Sequence, residues 1–168
     1  MMTRPKITAL VTTVALVAMS SAFSPAVAVE EFFGAKLRSG SETPVTLSTA
    51  GSGVFAAQLD SSETSLSFLL DYSGLEGGTV TAAHIHLGQA GITGGIVIHF
   101  CGTGGRPPCP SSGIVSFVVS AADVVAVPAQ GIAAGEFAEV IRAIRKGDTY
   151  VNVHTTTFPG GEIRGQIQ

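Results

Sequence analysis

The four histidines are the side chains of this sequence best suited to chemistry. His84 and His86 lie two residues apart in AHIHL, His99 follows in GIVIHF, and His154 lies far downstream in YVNVH. Alternate residues of an extended strand project to the same side, roughly 6.6 Å apart at Cα from a rise of about 3.3 Å per residue. The first two imidazoles can therefore bind one ion. A third from a neighbouring strand would complete a three-nitrogen site for zinc or copper with an open position.

Side-chain alternation places every histidine on the face opposite to the main apolar set. In AHIHL, Ile85 and Leu87 share one face and the two histidines share the other. The later segments set Ile96, Ile98 and Phe100 opposite Val97 and His99, and Val151 and Val153 opposite Tyr150, Asn152 and His154. Because the apolar face of a half-buried strand packs on the core, we expect the imidazoles on the outer surface of a sheet.

Two interpretations of these histidines stay open. The predicted metal ligands are His84, His86 and His154, and His99 is a weaker candidate for the third position. A structural role is the alternative, because imidazoles on a polar strand face often hydrogen-bond to backbone carbonyls or to neighbours such as Thr155 and Glu162. No other catalytic arrangement competes: the sequence has no G-x-S-x-G elbow, P-loop lysine or H-E-x-x-H helix, so no enzymatic activity is predicted.

Short extended segments must position the histidines. Period-two or short apolar runs between turn residues predict strands at 31–37, 53–60, 65–72, 81–87, 94–100 and 113–120, followed by TYVNVHT and the end of FPGGEIRGQI. Many short strands with glycine-rich turns favour an all-β fold, a Greek-key-like antiparallel sandwich or barrel.

One amphipathic helix is predicted before the last two strands. In AAGEFAEVIRAIRKG, Phe137, Val140, Ile141 and Ile144 recur at i, i+3, i+4 and i+7. Basic residues crowd the last turn and Gly147 follows, which are ordinary signals for a helix end.

The N-terminus predicts export. Basic Arg4 and Lys6 precede an apolar stretch and a small-residue ending at Ala28, which is typical of a signal peptide over residues 1–28. An uncleaved anchor is the alternative. The remaining 29–168 has the length of one domain, secreted or periplasmic and without a membrane span. Its excess of acidic over basic residues argues against nucleic acid as a partner.

The two cysteines lie in CGTGGRPPC. In an exported protein, Cys101 and Cys109 are predicted to form a disulfide that holds this loop. A two-cysteine metal site is the alternative.

Several motifs together resemble the CHRD domain, a module first recognised in chordin that also occurs in microbial secreted proteins. They are FFGAKLRSGSETPVTLSTAGSGVFAAQL with its E-x-P-V loop, SLSFLLDYSGL, AHIHLGQAGITGG, EFAEVIRAIRKG and KGDTYVNVHTTTFPGGEIRGQI. The residues that match the family pattern are His84, His86, Tyr150, Asn152, Val153, His154, Thr155, Pro159, Gly161, Glu162, Arg164 and Gly165. His99 and the cysteine loop lie outside that pattern.

The resemblance implies a β-sandwich or barrel module without established enzymatic activity. Growth-factor antagonism is not expected, because the chain lacks the cysteine-rich repeats that accompany the domain in chordin. The predicted function is a secreted, non-catalytic binding or scaffold module that recognises an extracellular protein or glycan. The alternative is a small metalloprotein with copper or zinc on a three-histidine site at the sheet surface.

Overall fold

The computed structural model describes Met2 and residues 30–168. Apart from Met2, the predicted signal peptide lies outside the described residues. The strands are β1 (Glu31–Arg38), β2 (Ser52–Leu59), β3 (Ser65–Ser73), β4 (Val80–Leu87), β5 (Ile96–Cys101), β6 (Gly113–Ser120), β7 (Thr149–Thr155) and β8 (Ile163–Gln166). One α-helix, α1 (Phe137–Arg145), precedes β7. Within the described part of the chain, no helix has the length and apolar character needed to cross a membrane.

The eight strands form one antiparallel sheet in the order β5-β4-β7-β8-β1-β2-β3-β6. The sheet curls until its two edges nearly meet. Ile98 of β5 forms a bridge with Val124, just after β6, and Val125 donates a backbone hydrogen bond to Val97. The predicted antiparallel β-fold, with one helix before its last two strands, is confirmed.

Alternating apolar residues build the interior of this nearly closed barrel. In β3, Leu66, Phe68, Leu70 and Tyr72 are buried while the residues between them face outward. Phe68 stacks on Phe100 of β5 with ring centroids 4.0 Å apart. The apolar side chains of each strand thus share one core.

The predicted helix closes part of this core. Phe137, Val140, Ile141 and Ile144 are buried, as their spacing predicted. The helix ends just before Gly147, whose φ of +71° is the left-handed conformation that favours glycine.

Two β-bulges in β5 change its predicted parity. Ile98 pairs with Ile85, but His86 pairs with Ile96, so Val97 is an extra residue in the ladder. Val97 is therefore buried in the core, and its predicted place on the outer face with His99 is wrong. His99 pairs with His84, and a second bulge follows at Phe100.

The loop after β5 is held by the predicted disulfide. Cys101 and Cys109 are bonded, with their Cα atoms 5.0 Å apart. The bond keeps the intervening residues close to the end of β5, and Gly102 donates a backbone hydrogen bond to Pro107.

Candidate metal centre

Three histidines from adjacent strands converge. His84 and His86 lie on β4 and His154 lies on β7, the strand paired with β4. One ring nitrogen from each lies within 4.8 Å of those of the other two. The sequence-predicted set is thus brought together, because β4 and β7 are neighbours and all three side chains project from the same face.

The cluster is buried, which corrects the prediction of a site on the sheet surface. His84, His86 and His154 expose only 4%, 7% and 8% of their area. They lie on the face opposite to Ile85 and Val153, as predicted, but loops cover that face as well. Parity identifies the face that carries a side chain, whereas loop packing decides whether solvent reaches it.

Backbone carbonyls determine which nitrogen of two rings carries the proton. Nδ1 of His86 lies 2.9 Å from the Gly94 carbonyl, and Nδ1 of His154 lies 3.0 Å from the Pro159 carbonyl. A carbonyl can only accept, so each Nδ1 donates and each Nε2 of these neutral rings is an unprotonated acceptor. Nε2 of His86 is buried without a hydrogen-bond partner among the described residues.

His84 presents its other nitrogen to the cluster. Its Nδ1 lies 3.1 Å from Nε2 of His154, and its Nε2 lies 2.7 Å from the hydroxyl of Thr103. The nitrogens available to bind a metal at the centre of the cluster are therefore Nδ1 of His84 and Nε2 of His86 and His154. Histidines that bind metals commonly use their second nitrogen for such hydrogen bonds to carbonyls and other polar groups.

The three imidazoles are neutral at physiological pH. Burial lowers the pKa of His84 to about 3, and the nearby histidines lower it further. Burial also lowers the pKa of His86 to about 4, against the opposing bond to Gly94. The pKa of His154 is lowered for the same reason. Neutral imidazole is the form that binds a metal.

His99, the weaker candidate, lies beside the cluster and outside the three-ligand group. Its ring is half-buried, with the centroid 4.9 Å from that of His84. Its Nδ1 lies 2.8 Å from the Thr103 hydroxyl, which therefore touches both rings. Sequence reasoning missed Thr103. The available signal was its place in the disulfide loop directly after the strand of His99.

The family-pattern residues Tyr150 and Arg164 support the site from one side. The Tyr150 ring stacks on His86, nearly parallel at 4.8 Å. The Arg164 guanidinium lies 3.3 Å from the centre of the Tyr150 ring and donates to the carbonyls of Gln89 and Ile92. This arrangement joins the 88–95 loop to the strands and covers the imidazoles.

Glu162 and Thr155 form a separate buried contact. The Glu162 carboxylate accepts hydrogen bonds from the Thr155 hydroxyl and from the backbone of Glu76 and Gly77. The four histidines hydrogen-bond to other groups, so the expectation that Thr155 or Glu162 holds a histidine is wrong. The Pro159 carbonyl takes that position for His154.

Gly161, Gly165 and Asn152 complete the predicted family positions. Gly161 has a φ of +125°, and a Cβ at Gly165 would lie 2.6 Å from the Lys36 carbonyl, so both positions require glycine. Asn152 is buried on β7, with its amide 3.4 Å from the Gly160 carbonyl. Asn152 and Gly161 shape the 156–161 turn that carries the Pro159 carbonyl, and Gly165 allows β8 to approach β1.

Glu42 of the E-x-P-V loop is a buried acid that sequence reasoning left without a role. Its Oε1 has no hydrogen-bond partner among the described residues. Burial raises the pKa of Glu42 to about 7, although the Arg164 guanidinium opposes this change.

Comparison with known proteins identifies the family. Residues 33–167 match the model of the CHRD domain. No curated protein and no solved structure matches the chain. The matched segment runs from the third residue of β1 to the residue after β8, and includes every residue of the histidine cluster. The chain belongs to the CHRD domain family.

Proposed function

We propose that this protein is an exported CHRD-domain metalloprotein that binds one zinc or copper ion. The ligands are Nδ1 of His84 and Nε2 of His86 and His154. The observation that carries the proposal is the convergence of one ring nitrogen from each histidine within 4.8 Å of the other two. Two metal–nitrogen bonds of about 2.0 to 2.1 Å span at most about 4.2 Å, so a small inward movement of the rings would bring the three nitrogens onto one ion.

The chemistry of the donor set supports a transition metal. Three neutral imidazoles suit zinc and copper, whereas calcium and magnesium prefer oxygen ligands. Three protein ligands also leave one position of a tetrahedral ion open. Between the two metals, the general order of affinities favours Cu²⁺ over Zn²⁺ at such a site.

Export is the second part of the proposal. The Cys101–Cys109 bond supports it, because disulfides persist mainly in oxidising compartments. We accordingly propose cleavage after Ala28, a single mature domain over 29–168, and a periplasmic or extracellular location.

Metal titration tests the proposed function. Protein stripped with a chelator is titrated with Zn²⁺ and then Cu²⁺ by calorimetry. We expect one ion per chain, with affinity at least a hundredfold weaker in His84→Ala and His154→Ala. Asp71→Asn is the matched control, since it removes an exposed carboxylate and should leave the affinity unchanged.

A non-catalytic binding or scaffold module is the second candidate. The observation that favours it is a set of exposed apolar side chains on the outer face of the other half of the sheet: Phe32, Val54, Leu69, Ile114 and Val118. Such a face suits an extracellular protein or glycan partner. Folded protein that binds neither ion, with histidine variants that only melt earlier, would refute the metal site and leave this candidate.

A further inference from the structure

We infer that the Thr103 hydroxyl couples metal binding at His84 to the position of the ring proton on His99. The inference rests on the proposed function and deepens it. It makes Thr103 a positioning residue, because the hydroxyl acts on the metal through His84. The oxygen lies 2.7 Å from Nε2 of His84 and 2.8 Å from Nδ1 of His99. It has one hydrogen, so it can donate to only one of the two rings at a time.

Every proton in the metal-free cluster follows from the hydrogen-bond partners. Nδ1 of His154 must donate to the Pro159 carbonyl, so its Nε2 is an acceptor. His84 therefore donates to it from Nδ1 across 3.1 Å, which leaves Nε2 of His84 as an acceptor. The Thr103 hydroxyl donates to that nitrogen. Nδ1 of His99 must then donate to the hydroxyl oxygen.

Metal binding reverses the direction of the hydrogen bonds between His84, Thr103 and His99. The Nδ1 proton of His84 leaves to water, and the lone pair that this exposes binds the ion. Nε2 of His84 takes the hydroxyl proton of Thr103, and the hydroxyl oxygen takes the Nδ1 proton of His99 in its place. Nε2 now donates to Thr103, and the hydroxyl donates to Nδ1 of His99. His99, whose Nδ1 proton has passed to Thr103, gains a proton at Nε2 from water. One proton leaves His84 and one enters His99, so the relay itself has no net proton release.

The surroundings permit this exchange. The His99 ring is half-exposed and Thr103 is exposed, so water reaches the His99 end of this series of hydrogen bonds. The disulfide loop holds Thr103 between the rings, and Gly104 lies so close to His99 that a Cβ there would touch the imidazole.

Nitrogen-15 NMR of the histidine rings tests the inference. We expect His99 of the chelator-treated protein to be protonated on Nδ1, and one equivalent of Zn²⁺ to move the proton to Nε2. In Thr103→Val, Zn²⁺ should leave the His99 tautomer unchanged and bind 10- to 100-fold more weakly. Thr103→Ser should restore both properties. Thr46→Val replaces an exposed threonine in another loop and should behave as wild type.

The outcomes separate the two proposals. Wild-type protein that binds no Zn²⁺ overturns the proposed function and this inference with it. Wild-type protein that binds Zn²⁺ while His99 keeps its tautomer overturns the inference alone. Loss of Zn²⁺ binding in both Thr103→Val and Thr103→Ser also overturns the inference. The serine variant keeps the hydroxyl, so the loss would then have a cause other than the missing hydroxyl.

Discussion

In single residues, backbone carbonyls set the tautomers of two imidazoles, because the ring nitrogen that faces a carbonyl must carry the proton. Gly94 and Pro159 each present a carbonyl to an Nδ1, which frees two Nε2 atoms for the centre of the cluster. His84 differs because Thr103, which can both donate and accept, faces its Nε2. The tautomers of His86 and His154 are therefore fixed by their partners, whereas His84 can adopt either tautomer.

We predict that the fold is more stable when the Glu42 carboxyl group is protonated than when it is ionised. Its pKa is about 7 in the folded protein against 4.5 for the ordinary value. The folded state thus holds its proton more tightly, and this residue lowers the free energy of unfolding as the pH rises from about 4.5 to about 7. Glu42→Gln removes the ionised form. We expect it to raise the melting temperature more at pH 8 than at pH 5.

Thermal denaturation of metal-free protein at the two pH values measures this difference. Glu30→Gln, at an exposed position, is the control and should leave both melting temperatures unchanged. An equal effect of Glu42→Gln at pH 5 and pH 8 would contradict the prediction.

At the scale of elements, Arg164 ties a loop to the sheet. From β8, its guanidinium reaches the carbonyls of Gln89 and Ile92 in the 88–95 loop and stacks on Tyr150 of β7. The same loop supplies the Gly94 carbonyl to His86. One buried cation therefore keeps in place the loop that bonds to His86.

Replacing this guanidinium should destabilise the protein although the charge is kept. Lysine lacks the planar group that stacks on an aromatic ring and bonds to two carbonyls at once. For Arg164→Lys we expect a loss of about 2 to 3 kcal/mol in the free energy of unfolding, measured by urea denaturation. Arg142→Lys, at an exposed position on α1, should cause almost no loss. Similar effects of the two variants would show that the stacked cation contributes little.

At the scale of the whole molecule, the buried histidines predict sensitivity to acid. The folded-state pKa values of about 3 for His84 and about 4 for His86 lie below the ordinary 6.5. Below pH 6.5 these two histidines become protonated in the unfolded chain but stay neutral in the folded protein. The metal-free protein should therefore lose stability as the pH falls from 6.5 to about 4, by up to about 1.4 kcal/mol per pH unit for each histidine.

Urea denaturation across this pH range checks the prediction. The measurement is best made in the Glu42→Gln background, because Glu42 contributes a slope of opposite sign. His84→Gln in that background should flatten the loss. A free energy of unfolding that stays constant between pH 6.5 and 4 would contradict the prediction.

Sequence reasoning predicted the strands, the helix, the disulfide and the three candidate metal ligands. Each depends on short-range periodicity, a turn signal or a distinctive residue type, and the pairing of β4 with β7 then placed His154 beside His84. Only the tertiary structure decided that the imidazoles are buried, that bulges turn Val97 inward, and that Thr103 and Glu42 belong to this region. Period two specifies the face of a strand, but the cover over that face comes from loops distant in the chain, whose positions depend on the packing of the whole barrel.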